Sequence, residues 1–238
     1  MNFRIIIHFM GLLILFLGVS MAAPLLVSLA FDEGIFRAWL ASMFVTCLSG
    51  MCLFVCTKKK EEIHLNHRDG VAVVTIGWAL AGLFGALPYL FSGAIPSFTN
   101  AYFESLSGFT TTGASILNDI EILPKGILLW RSQTQWLGGM GIIVLSIAIL
   151  PFLGVGGMQL YRAEVPSPVV DKLKPRISET AKTLWKVYVL FTVAEVILLA
   201  AGGMSLFDAL CHAFCTMPTG GFSTKNASVG HFNSVYLD

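Results

Sequence analysis

Charge is scarce in this chain. Of its 238 residues only 12% are Asp, Glu, Lys or Arg, where a soluble domain carries about 25%. With 55% hydrophobic residues and a mean hydropathy of +0.77, an ordinary water-soluble domain is excluded. Neither sign of charge dominates, and a net charge of +1 gives no field that would attract a nucleic acid. Cysteine is sparse too. The five, at 47, 52, 56, 211 and 215, lie in apolar segments without CxxC or Cys/His metal spacing, so they read as small apolar side chains, not as a disulfide or metal framework. No P-loop occurs, and the glycines at 154, 156 and 157 lack the strand-to-helix context of a dinucleotide site.

What the chain does have is long apolar runs. A membrane-crossing helix needs roughly 20 mostly apolar residues. Residues 5–30, 35–56, 71–91 and 126–153 meet that requirement, and 184–202 make a fifth run interrupted by Lys186 and Glu195 after the polar stretch RISETAKT. Basic residues accumulate in alternate connections. Arg4, then Lys58, Lys59, Lys60 and Arg68, then Arg162, Lys172, Lys174, Arg176, Lys182 and Lys186 make up 11 of the 15. Only Arg37, Lys125, Arg131 and Lys225 fall on the opposite side, so the positive-inside rule places the N-terminus in the cytoplasm. The start also resembles a signal peptide with Ser20-Met21-Ala22 as its cleavage site, but the apolar run continues beyond it to Ala30.

The chain also contains an internal repeat. NAYFESLSGFTTTGAS, from Asn100 to Ser115, aligns without gaps to DALCHAFCTMPTGGFS, from Asp208 to Ser223. The shared pattern is a polar cap, about ten mostly apolar residues and a Thr/Gly-rich kink. Ten helical residues reach about 15 Å, half of a hydrocarbon core of about 30 Å. Such a segment enters from one face and stops near the middle, where irregular backbone survives only in protein or beside a wet cavity. A half-helix entering from outside aims its partially negative C-terminal end at the membrane centre and favours a cation there. Gly113 and Gly221 can adopt positive φ, which lets successive carbonyls replace part of an ion's hydration shell. Thr110, Thr111 and Thr112 add hydroxyl oxygens or brace the loop. The competing reading is a pair of amphipathic connections with ordinary turn glycines.

ESLSGFTTTGAS, WLGGMGIIVLSIAILPFLGVGGMQLYRAE, RISETAKTLW and GGFST together resemble the membrane subunit of the bacterial Trk/Ktr potassium-uptake superfamily, most closely its TrkH type. The resemblance implies four helix, pore-loop, helix repeats in one chain, each giving one filter glycine, with an extra helix pair ahead of them. Gly113 matches the first filter glycine and Gly221 the second. Thr111, Thr112, Thr219 and Gly220 match their carbonyl-bearing neighbours, so K⁺ is expected at Thr111, Thr112, Gly113, Gly220 and Gly221. Pro218 and Thr219 depart from the expected residues. Also implied are K⁺ as cargo with no organic cofactor, a homodimer, and a cytosolic nucleotide-binding regulatory ring, with residues 162–182 as its contact. The bacterial inner membrane is the expected location.

The expected architecture is an all-α polytopic membrane protein with parallel helix/pore-loop/helix repeats of potassium-channel type, truncated. The boundaries run 1–57 for the extra pair, 58–69 and 155–176 for basic cytoplasmic loops, 70–154 for the first repeat and 177–238 for an incomplete second. The chain stops at Asp238, soon after Gly221, so it reads as an N-terminal half, and a non-conducting fragment or assembly factor is the rival reading. Buried carboxylates invite functional hypotheses. Glu104 reads as a brace for the first short helix or as negative potential near the ion path. Glu195 reads as either protonated or partnered elsewhere. Asp208 reads as a helix cap. Arg131 is expected to pair with Asp119 or Glu121, or to anchor at the interface, and Gly138, Gly139 and Gly141 to allow close helix packing. HLNHRD has the His64-to-Asp69 spacing of some acyltransferases without companion motifs, and Asn226-Ala227-Ser228 is a sequon relevant only to a eukaryotic secretory protein.

Overall fold

The computed structural model describes residues 3–57, 67–153, 173–234 and 236, with side chains described outside 67, 143–153 and 173–178. Regular structure among the described residues is helical throughout. In chain order the helices are α1 (Phe3–Ser20), α2 (Ala22–Ala30), α3 (Phe36–Thr57), α4 (His67–Gly85), α5 (Leu87–Ser92), α6 (Phe98–Phe109), α7 (Lys125–Leu153), α8 (Leu173–Ala201) and α9 (Leu206–Thr216), followed by a 3₁₀ turn at Ser228–Phe232. Most of the Lys58–Asp69 basic connection, His64 included, and the stretch from Arg162 to Lys172 lie outside the described residues.

Two of the apolar runs are jointed rather than straight. The first divides at Met21, just before Pro24, and the third at Ala86, just before Pro88. Proline cannot donate to the carbonyl four residues back and crowds it, which bends a helix at that point. Hydrogen bonds carry the chain across each joint: Leu25 N donates to Met21 O at 3.1 Å and Leu90 N to Ala86 O at 3.2 Å. The segments Phe3–Ala30, Phe36–Thr57, Arg68–Ser92 and Glu179–Ala201 are long and apolar enough to cross a bilayer. Helix α7 has 29 residues, about 43 Å of helix at 1.5 Å each. Helix α8 begins at Leu173, so RISETAKT is helical and the boundary expected at 177 falls inside a helix, not at its start.

Helices α1 and α3 pack through small residues. A Cβ on Gly11 would lie 2.7 Å from Phe54 N, and one on Gly50 would lie 2.7 Å from Leu15 N, so the backbones of α1 and α3 touch. Helix α7 stands inside the bundle, in contact with α2, α4, α6, α8 and α9. Its Trp130 is fully buried, donates from Nε1 to Gly85 O at 2.9 Å, and meets Trp39 and Phe109 edge-on. The connection between α2 and α3 reaches α7 directly: Glu33 accepts from the backbone N–H of Lys125 and Gly126, and Lys125 Nζ sits 3.6 Å from the Phe31 ring centroid.

Filling the α1–α3 contact costs about 1–3 kcal/mol in overpacking. Gly50→Leu is therefore expected to lower the thermal unfolding midpoint of the detergent-purified protein, and an unchanged midpoint would show that the two helices do not meet here.

Candidate functional site

Helices α6 and α9 have 12 and 11 residues, about 18 and 16 Å, too short to cross a core of about 30 Å. Each starts one turn earlier than the repeat alignment implies. Ser205, not Asp208, is the N-cap of α9: its Oγ accepts from Asp208 N at 3.1 Å and donates to Asp208 Oδ2 at 2.7 Å. Asp208 is thus the third helical residue of a capping pair, because a cap must sit just outside the helix to reach the free N–H groups. Ser97, which precedes α6, is the repeat counterpart of Ser205. The second Asp208 oxygen, Oδ1, accepts from Thr224 Oγ1 at 2.6 Å. Burial raises its pKa, but the hydrogen bonds from Thr224 and Ser205 outweigh that and hold it below the usual carboxylate range.

The two Thr/Gly segments have the same backbone. Thr111 N donates to Gly108 O and Thr219 N to Thr216 O; Thr112 N donates to Ser107 O and Gly220 N to Cys215 O, all at 2.8–2.9 Å and all between equivalent positions of the repeat. Thr111 and Gly113 have φ of 55° and 74°, and Thr219 and Gly221 have 57° and 83°. Positive φ is unusual for a β-branched residue, and its occurrence at equivalent positions marks stored strain of the kind found at functional sites. Pro218 replaces Thr110, whose N–H bonds Leu106 O at 2.9 Å, so that bond has no counterpart in the second segment. The Thr110 hydroxyl meets the Thr112 hydroxyl at 2.8 Å. The segments touch: a Cβ on Gly113 would overlap the Gly220 carbonyl oxygen.

Behind them lies a buried ion pair. Arg131 and Glu104 are 1% and 0% exposed, with Nη2 and Nε of the guanidinium 2.8 and 2.9 Å from Glu104 Oε1. Glu104 also accepts from Ser115 Oγ at 2.9 Å and Ile116 N at 3.1 Å. The pairing expected with Asp119 or Glu121 does not occur, nor is Arg131 an interfacial anchor. It lies too deep, and a buried guanidinium must find a buried carboxylate. Asp119 and Glu121 instead accept from Asn226, at Nδ2 and the backbone N, while Asn226 Oδ1 accepts from Ile120 N. Arg131 also reaches the second segment, donating from Nη1 to Ser223 O at 3.3 Å with its Cζ 4.2 Å from the Phe222 ring centroid. At the repeat position of Glu104 stands His212, which contacts Ser223 Oγ through Nε2 at 3.1 Å, as Glu104 contacts Ser115. Glu195, on α8, lies in hydrogen-bonding reach of Thr216, whose carbonyl accepts from Thr219 N.

One stripe of α7 holds both segments. Thr134 abuts Gly108, Gly138 is pressed on Phe109 O, and Gly139 meets Pro218. Gln135, one turn beyond Arg131, accepts from Phe222 N at 3.1 Å. Sequence reasoning passed over Gln135 and His212. The repeat alignment exposes His212 as the counterpart of Glu104; for Gln135 the only signal is its place at the end of the polar run Arg131-Ser132-Gln133-Thr134-Gln135 in a helix otherwise rich in apolar residues.

The TrkH family of cation transport proteins matches residues 35–238. The Trk system potassium uptake protein TrkH of Escherichia coli strain K12 is 49% identical over 240 residues, and that of Halomonas elongata 46% identical over 240 residues. Each alignment covers 100% of this chain and 50% of the relative. TrkG of Escherichia coli strain K12 is 38% identical, over 99% of this chain and 49% of its own. The crystal structure of the potassium transporter TrkH from Vibrio parahaemolyticus matches with a TM-score of 0.87 at 41% identity, over 100% of this chain and 47% of that one. The chain thus spans about half the length of the curated relatives it matches. On these matches, together with its apolar spans and paired Thr/Gly segments, this multi-pass membrane chain belongs to the TrkH family of cation transport proteins.

Proposed function

We propose that residues 110–113 and 219–221 are two segments of a cation filter, and that the chain takes part in potassium uptake as the first half of a TrkH-type subunit. The observation that carries this reading is the repeated backbone: two segments in contact, with the same hydrogen bonds and the same positive φ at alternate residues. Alternating φ turns successive carbonyls to one side, which is what a cation needs in exchange for its water. The C-terminal ends of α6 and α9 add partial negative charge beside those carbonyls. No bond is made or broken. The ion is selected by dehydration and moves down its gradient or with a coupling ion. The relatives' names, which specify potassium uptake, support the choice of ion.

Glu104 and Arg131 serve as the support of this filter, and Asp208 as that of its second helix. The charge pattern supports an inner-membrane location with the N-terminus inside the cell. A homodimer and a cytosolic nucleotide-binding ring complete the proposal on the strength of family membership.

The test is rubidium uptake by the complete gene product in cells lacking their own potassium uptake. Gly113→Ala combines a positive φ with overlap on the Gly220 carbonyl and is expected to abolish uptake. Gly221→Ala meets nothing within 4 Å and costs only the left-handed backbone, about 1–2 kcal/mol, so a measurable fraction survives. Normal uptake by Gly113→Ala would sink the filter reading. For the support, Arg131→Met strands a buried carboxylate at about 3–5 kcal/mol. Its unfolding midpoint should fall well below that of the native protein, and adding Glu104→Gln should restore most of the loss.

A further inference from the structure

Gln135 is an unusual residue to find where it is. Its side chain is 0% exposed, at the end of the buried polar run Arg131-Ser132-Gln133-Thr134-Gln135 of α7, and only half of its amide is engaged. Oε1 accepts the Phe222 N–H at 3.1 Å, while Nε2 is a buried donor with no partner among the described residues. A buried donor left unpaired costs free energy, so such a group needs a reason to stay.

The surroundings supply one. The amide lies flat against Gly220: a Cβ there would fall within 2.7 Å of Nε2 and closer still to Cδ and Oε1. It also reaches the first segment, since a Cβ on Gly113 would lie 3.8 Å from Nε2. The Gly220 carbonyl is pressed against Gly113 at the same place. Gln135 therefore occupies the junction of the two segments. It touches the second with its whole amide plane and faces the first with its unspent donor.

Resting on the filter reading above, we propose that Gln135 is a positioning residue for ion discrimination. Its amide sets the spacing between the first and second filter segments, anchored by the Phe222 N–H. Cations of equal charge differ in size and hydration, so discrimination depends on how many carbonyl oxygens are presented and how far apart they are held. Two backbone segments in direct contact cannot fix that spacing alone; something rigid must stand behind their junction. Arg131, one turn away, holds the same second segment through Ser223 O and the Phe222 ring. The guanidinium grips the part beyond the glycines and the amide grips the glycines themselves. Gly220 is required for this wedge because any side chain there would occupy the amide's place.

The experiment compares rubidium and sodium uptake by the complete gene product carrying Gln135→Met or Gln135→Asn, normalised to protein in the membrane. Met keeps the length and removes the acceptor for Phe222 N–H; Asn keeps the amide and withdraws it by one methylene. The Rb⁺/Na⁺ uptake ratio is expected to fall about tenfold in Gln135→Met, the scale of one lost hydrogen bond, and by a smaller factor in Gln135→Asn, with the rubidium KM rising. A purely structural role would reduce uptake of both ions together and leave the ratio as it was. That result in either variant overturns the proposal, and Gln135→Asn decides alone if Gln135→Met does not reach the membrane. Failure of the underlying filter reading looks different: the native protein would show no preference for rubidium, and Gly113→Ala would transport as well as it does.

Discussion

The arrangement depends on a guanidinium and a carboxylate kept almost wholly out of water. Separating charges from solvent is expensive, and the cost is offset only when each finds the other with further hydrogen bonds. Glu104 meets that condition by gathering the guanidinium, a serine hydroxyl and a backbone N–H around one carboxylate. Arg131 meets it by spanning from the first short helix to the carbonyl of Ser223 after the second. The pair ties α6 to α7 and both to the segment leaving α9, three parts that short apolar helices alone could not register to one another. Apolar packing in a membrane is permissive about sliding; a charge pair is not.

The two modules show which features the backbone demands and which it does not. Their turns share hydrogen bonds and positive φ values at equivalent positions, Thr111 with Thr219 and Gly113 with Gly221. Their side chains do not match: at equivalent positions Glu104 corresponds to His212, Thr110 to Pro218, and Ser107 to Cys215. What is repeated is the path of the main chain, and what varies is the means of bracing it. That division is what a site built from carbonyl groups would produce, since a carbonyl is contributed by any residue that can hold the required φ.

Much of this was legible from sequence because the bilayer constrains it so strongly. Length and apolarity located the spans, and the repeat located the two short helices along with Gly113 and Gly221. The joints at Met21 and Ala86 were written in Pro24 and Pro88 but are invisible to a count of apolar residues. Sequence proximity points Arg131 to Asp119 or Glu121, or to the interface, whereas burial joins it to Glu104, 27 residues away. Asp208 is a good cap in isolation, but the helix begins one turn earlier, where Ser205 caps it. Gln135 was silent for a deeper reason: its importance lies in which backbone it lies against, and no periodicity reports that.

Glu33 belongs to the connection between α2 and α3, yet it supplies the acceptors for the first N–H groups of α7. A helix start carries partial positive charge, and α7 draws its neutralising anion from outside its own repeat. The helices α1–α3 are therefore wired into the part of the bundle that follows them. Residues 70–153 grafted elsewhere without them would carry an unanswered positive pole at the head of the helix that backs both Thr/Gly segments, so this unit is not self-sufficient as a building block even though its sequence pattern recurs.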